Sequence, residues 1–176
     1  YQKGGLVMYA VKEVLGEEQM NKILRDLVAK HRNPNQKALT KDLIDELIKT
    51  APANQKSFIE ESFNQVVDYQ MEVKILRYKK LVDGKFSVDL QVNVGKNKAG
   101  VDHLLAPDMD IDLAFFSQPI LDLDKNSKPI YLQKHRFNQL VTKLTIVVDQ
   151  KPKTVALDPF GYLLDSNLKD NMDEVK

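Results

Sequence analysis

The amino-acid sequence predicts an α+β fold in which an N-terminal helical bundle precedes an antiparallel β-sandwich. The first observation behind this is a change of period: up to about Asp68 apolar residues recur three and four apart, and after about Tyr69 they alternate with polar ones. The second is that the two patterns are segregated along the chain. Segregation points to antiparallel pairing and away from a parallel sheet with crossover helices. The boundaries drawn from it are 1–68 for the helical part and 69–176 for the sandwich.

Leu6, Val7, Ala10, Val11, Val14 and Leu15 make the apolar stripe of a first helix, which Gly16 stops. Glu17 and Glu18 suit the positive end of a second helix with the stripe Met20, Ile23, Leu24, Leu27 and Val28. Lys30, His31 and Arg32 suit its negative end, and Asn33-Pro34-Asn35 breaks the chain. Thr40 is the expected N-cap of a third helix over Lys41 to Lys49, faced by Leu43, Ile44, Leu47 and Ile48 and followed by Pro52. Ser57 and Glu60 have capping-box spacing ahead of Phe58, Ile59, Phe63, Val66 and Val67, so a fourth helix is expected to end near Asp68.

Two long strands then flank an Asp83-Gly84 hairpin turn. Glu72 to Tyr78 forms one, and the alternating Phe86, Val88, Leu90, Val92 and Val94 forms the other. Further strands are expected at Met109 to Phe116, Ile130 to Phe137, Leu144 to Val148 and Thr154 to Leu157. Beyond them, a Pro159-Phe160-Gly161 turn leads into another short strand.

Composition excludes several function classes. Lys and Arg number 26 against 25 Asp and Glu, interspersed, so no basic face is expected to condense on nucleic acid. The absence of cysteine removes thiol nucleophiles and thiolate metal sites. No apolar run approaches the roughly 20 residues that span a bilayer, so the chain is expected to be soluble. Its start has neither an initiator methionine nor a signal peptide's order, and Tyr1 is expected to be an interior residue of a longer protein.

The candidate metal ligands are few. His31, His103 and His135 are isolated, and no two histidines fall four apart as a helical zinc motif requires. Asp108, Asp110 and Asp112 alternate, which in a strand puts three carboxylates on one face. They could bind calcium or be solvated, and solvation is the reading taken, because calcium draws its oxygens from tight loops. Asp122-x-Asp124-x-Asn126 is loop-like but lacks the glycine and closing glutamate of a hand-type calcium loop, and reads as a turn. Lys134-His135-Arg136 reads as a charged, solvated sheet edge.

The chemistry-bearing stretch is Tyr1-Gln2-Lys3-Gly4-Gly5. A phenol is protonated at neutral pH and can donate a hydrogen bond from a fixed position, while the two glycines allow a backbone or substrate to approach closely. With the apolar helix after it, the Gly16-Glu17-Glu18-Gln19-Met20 boundary and the Asp42 helix, this order resembles the late catalytic region of the aminopeptidase N-like (gluzincin) zinc metallopeptidases. The tail Ala156-Leu157-Asp158-Pro159-Phe160-Gly161-Tyr162-Leu163-Leu164-Asp165, with Asp170-Asn171, is similar to that of a bacterial subgroup fused to ABC-type transporter permeases.

What the resemblance implies is specific. Tyr1 matches the catalytic tyrosine that donates to the oxyanion when a zinc-bound water attacks a peptide carbonyl. The sandwich is expected to be immunoglobulin-like, and zinc is the parent's cofactor, its ligands lying before Tyr1, with none in this part. The substrate is a peptide, nucleic acid is not a partner, and a membrane is met only through other parts of the parent. This part alone is expected to be inactive. The alternative is a non-catalytic protein-interaction module built on the same helices and sandwich.

Overall fold

In the computed structural model the described residues are 2–33, 35, 37–124, 126–165 and 167–175, and the chain divides into two compact units, Tyr1–Val67 and Asp68–Lys176. The first unit is helical and the second is built of two antiparallel sheets, which makes the protein α+β.

The helices follow the apolar spacing. α1 is Gln2–Leu15, α2 Glu17–Lys30, α3 Thr40–Thr50 and α4 Lys56–Asn64, with a 3-10 turn at Ala53–Gln55 between the last two. Gly16 separates the first two at φ 84°, a left-handed conformation that costs glycine nothing. α1 meets α2 and α4, α2 meets α3, and α3 meets α4, closing a ring of four helices. Val11, Met20, Ile23, Leu47, Phe58 and Ile59 are among the buried side chains. Pro34, in the expected break after α2, lies outside the described residues.

Three helical expectations are corrected. Thr40 is the first helical residue of α3 and not its cap; Leu39 precedes it, and the Asp42 carboxylate reaches back to accept the Leu39 N–H at 2.9 Å. A carboxylate in the first turn of the helix thus satisfies the N–H of the residue before it, the reach-back half of a capping box, while no side chain caps the helix from Leu39. Val28 sits outside the buried stripe of α2 and is 66% exposed. α4 stops at Asn64, because Val67 already starts the two-residue rhythm of buried Val67, Tyr69, Met71 and Val73, and β-branched residues favour the extended chain.

The strands are β1 Val67–Lys80, β2 Phe86–Lys98, β3 Met109–Phe116, β4 Tyr131–Phe137, β5 Val141–Val148, β6 Thr154–Leu157 and β7 Met172–Glu174. One sheet has the order β1-β2-β5 and the other β4-β3-β6-β7. The first hairpin closes through Leu81 N–H to Lys85 C=O at 2.8 Å, with Gly84 at φ 85°. β5 begins three residues before the expected Leu144, since it pairs with β2 from Phe86↔Val148 back to Asn93↔Val141. Among the described residues no strand follows the Pro-Phe-Gly turn directly; the tail instead makes β7, which pairs with β6 from Thr154↔Glu174 to Ala156↔Met172.

Each sheet has a buried apolar face. Val88, Leu90, Val92 and Ile146 line one, and Ile111, Leu113, Phe115 and Phe137 line the other. The reverse face of the second sheet is covered at one end, where Ala114, Phe116 and Ala156 are buried under Leu123 and Met172. The tail bonds to both sheets: Tyr69 and Val73 donate their N–H groups to Leu164 C=O (2.7 Å) and Asp170 C=O (3.0 Å), while β7 extends the other sheet. Among the described residues no helix is long and apolar enough to cross a membrane.

Candidate functional site

Tyr1 lies outside the described residues, so the structure assigns it no position. The glycines of its motif are described: Gly4 and Gly5 sit in α1, exposed, and a Cβ added to either would meet nothing within 4 Å. No other described segment of this chain uses the room that they leave. Among the described residues no backbone makes the close approach that these glycines allow.

The three histidines stay apart. His31 follows α2, with Nε2 3.7 Å from Asp42 Oδ2. His103 is exposed beside Asp102. On β4 the Tyr131 hydroxyl donates to Gln133 Oε1 at 3.1 Å and lies 2.7 Å from His135 Nε2, and burial pushes the tyrosine's pKa up and the histidine's down. Among the described residues no three His, Asp or Glu side chains gather to hold a metal.

Asp110 and Asp112 of β3, and Asp108 just before it, face cationic side chains. Cross-strand register sets Asp110 opposite Arg136 and Asp112 opposite Lys134. Lys134 Nζ is 2.8 Å from Asp112, and Arg136 is 2.9 Å from Asp108 and 3.7 Å from Asp110. β4 is the edge strand of its sheet, in keeping with the reading of Lys134-His135-Arg136 as a charged edge. Asp124 is occupied by its own turn: its side chain accepts the Asn126 N–H at 2.8 Å and the Ser127 hydroxyl at 3.1 Å, and the Asn126 bond leads in lowering its pKa.

The most perturbed carboxyl is one that sequence reasoning passed over. Asp158 follows β6 at φ 47° and is 5% exposed; burial raises its pKa from 3.8 to about 6. The N–H groups of Leu163 (2.8 Å) and Tyr162 (3.1 Å) oppose that rise, Asp112 adds to it, and Lys134 opposes it. A carboxyl near neutrality is a candidate acid or base. Here each oxygen accepts a backbone N–H of its own loop, so the group holds the turn from 158 to 163 rather than facing a substrate. The sequence signal was available: an aspartate before Pro159-Phe160-Gly161 is a turn builder whose oxygens seek nearby N–H groups.

The second feature missed in the sequence is a cleft of about 480 Å³, lined by Glu72, Asn93, Gly95, Asp165, Asn167 and Asp170 among others. Asn93 donates to Glu72 at 2.6 Å and Asn167 to Asp170 at 2.7 Å. One oxygen of Asp165 and one of Asp170 are buried with no donor among the described residues. The cleft can accept hydrogen bonds, but among its described lining residues no nucleophile is paired with a base.

No protein-family model and no curated protein matches this chain.

Proposed function

We propose that this chain is the C-terminal part of a zinc-dependent aminopeptidase-like hydrolase. In this reading the helical unit ends the catalytic domain, and the second unit is a structural, immunoglobulin-like β-sandwich. The observation that carries the proposal is the order of parts: the Tyr1-x-Lys3-Gly4-Gly5 opening runs into α1, and four helices then give way to antiparallel sheets. The sandwich is supported by two sheets in one compact unit, each with a buried apolar face, and by a tail bonded to both.

Tyr1 supplies the chemistry of this part. Its hydroxyl donates to the oxygen on which charge develops as the peptide carbonyl becomes tetrahedral, and a donor placed there lowers the barrier without tightening substrate binding. Zinc, held by ligands outside this chain, would supply the activation of the attacking water. Peptide is the substrate class. The tail's similarity to the permease-fused bacterial subgroup makes a membrane-anchored parent part of the same reading.

The test is steady-state kinetics of the intact parent. Tyr1→Phe keeps the ring and removes the hydroxyl, so kcat should fall by about two to three powers of ten with KM little changed. Equal turnover would leave the interaction module as the better account. A His-Glu-x-x-His sequence encoded upstream of Tyr1 is the accompanying expectation.

A further inference from the structure

Four strand edges bound the two sheets, and three of them are blocked. The outer edge of β1 is bonded to the tail from Tyr69 to Ile75, where Leu164, Asp170 and the Asp173 side chain accept the N–H groups of Tyr69, Val73 and Ile75, and beyond that it carries the exposed charges Arg77, Lys79 and Lys80. β4 carries Lys134 and Arg136 in ion pairs, and β7 has only three residues. The fourth edge belongs to β5, Val141-Thr142-Lys143-Leu144-Thr145-Ile146-Val147-Val148, eight residues with one charge and no proline.

The direction of its backbone groups follows from one bond. Val94 donates its N–H to Leu140 C=O at 3.0 Å, so Leu140 turns toward β2. By alternation Thr142, Leu144, Ile146 and Val148 do the same, while Val141, Lys143, Thr145 and Val147 turn their N–H and C=O groups outward. Among the described residues no backbone acceptor meets those four outward N–H groups. Their side chains are exposed, Val141 to 51% and Val147 to 48%.

We infer that this edge pairs with β5 of a second copy of the chain, antiparallel about a two-fold axis at Leu144. The strand's own residues select that partner and register. With Leu144 opposite Leu144 of the second copy, Val141 meets Val147, Lys143 meets Thr145 and Thr142 meets Ile146, so all four outward residues pair and no like charges oppose. Centring on Lys143 would set two lysines face to face. Centring on Thr145 would leave Val141 opposite Asp149, beyond the strand. The result is an isologous contact that joins two three-stranded sheets into one of six. A single strand pair is smaller than standard interfaces, so the association is of the weak, transient class. It does not depend on the peptidase reading, and it fails or stands separately.

Sedimentation of the full chain between about 1 μM and about 1 mM should show a reversible monomer–dimer equilibrium. Thr145→Lys places a second ammonium opposite Lys143 of the other copy, twice per dimer, and should raise the dissociation constant about tenfold. The substitution removes the bond that the Thr145 hydroxyl donates to Asp89, its cross-strand neighbour, at 2.8 Å, and sets an ammonium beside the same carboxylate, so Asp89 keeps a partner in the monomer. Adding Lys143→Glu to that variant restores opposite charges across the axis and should return the dimer. A chain that stays monomeric throughout, a dimer indifferent to Thr145→Lys, or a double variant that does not recover would each overturn the inference.

Discussion

Asp158 gives a prediction whose size and sign both come from the structure. Its pKa is about 6 in the folded chain against an ordinary 3.8, a gap of about two units at 1.36 kcal/mol each, or about 3 kcal/mol. Between those values the folded state holds the proton and the unfolded state has lost it. Stability from this residue is therefore fully present below about pH 4 and is lost as pH rises through about 6. Asp158→Asn removes the titration and suits the left-handed backbone, since asparagine tolerates positive φ. It keeps one acceptor for Leu163 or Tyr162 and turns an N–H₂ toward the other, which costs about 1–3 kcal/mol at every pH. The test is urea unfolding of both proteins across the range. The stability of wild type minus variant should fall by about 3 kcal/mol from about pH 4 to about pH 7, the shared carboxylates cancelling. A difference that stays flat would mean that Asp158 does not hold its proton in the folded state, and would refute the assignment of burial as the dominant cause.

Two further outcomes concern the helical unit and the metal. Gly4→Ala and Gly5→Ala meet no neighbour in α1 and should each stabilise the helix by about 0.5–1 kcal/mol, read as a higher urea midpoint; a loss of stability would show that something packs there. Calorimetric titration of zinc into the isolated chain should show no stoichiometric site, and an aminoacyl reporter should not be hydrolysed by it. Tight one-to-one binding would show that the ligand reading is wrong.

The fold was legible where period alone decides. β3 and β6 run over the expected residues, Met109–Phe116 and Thr154–Leu157, because their alternation or apolar run is bounded by turn residues. Period failed where two signals compete. Val66 and Val67 fit both the end of a helical stripe and the start of a strand, and the buried series through Val73 favours the strand. It failed again at β7, three residues with two carboxylates, which carries no apolar rhythm and exists only because β6 offers it an edge. Such a strand is a tertiary product, invisible to a local reading.

The tail shows why the candidate sites were harder to read than the elements. Leu157 N–H bonds to Asn171 C=O, Asp158 N–H to Asp112 C=O, and Val175 N–H to Lys153 C=O, so residues far apart in sequence share one small region. Asp158 is an ordinary turn aspartate in sequence. It becomes a carboxyl near pKa 6 only because β3 and the loop to Leu163 close over it. The cleft's Asp165 and Asp170 likewise gain their buried oxygens from the course of the tail along β1, where Tyr69 bridges to Asp165 and Val73 bonds to Asp170. The raised pKa of Asp158 and the buried oxygens of the cleft thus come from burial that the course of the tail brings about rather than from a local motif. The one motif with local chemical meaning, at Tyr1, is the one whose proposed chemistry depends on ligands from outside this chain.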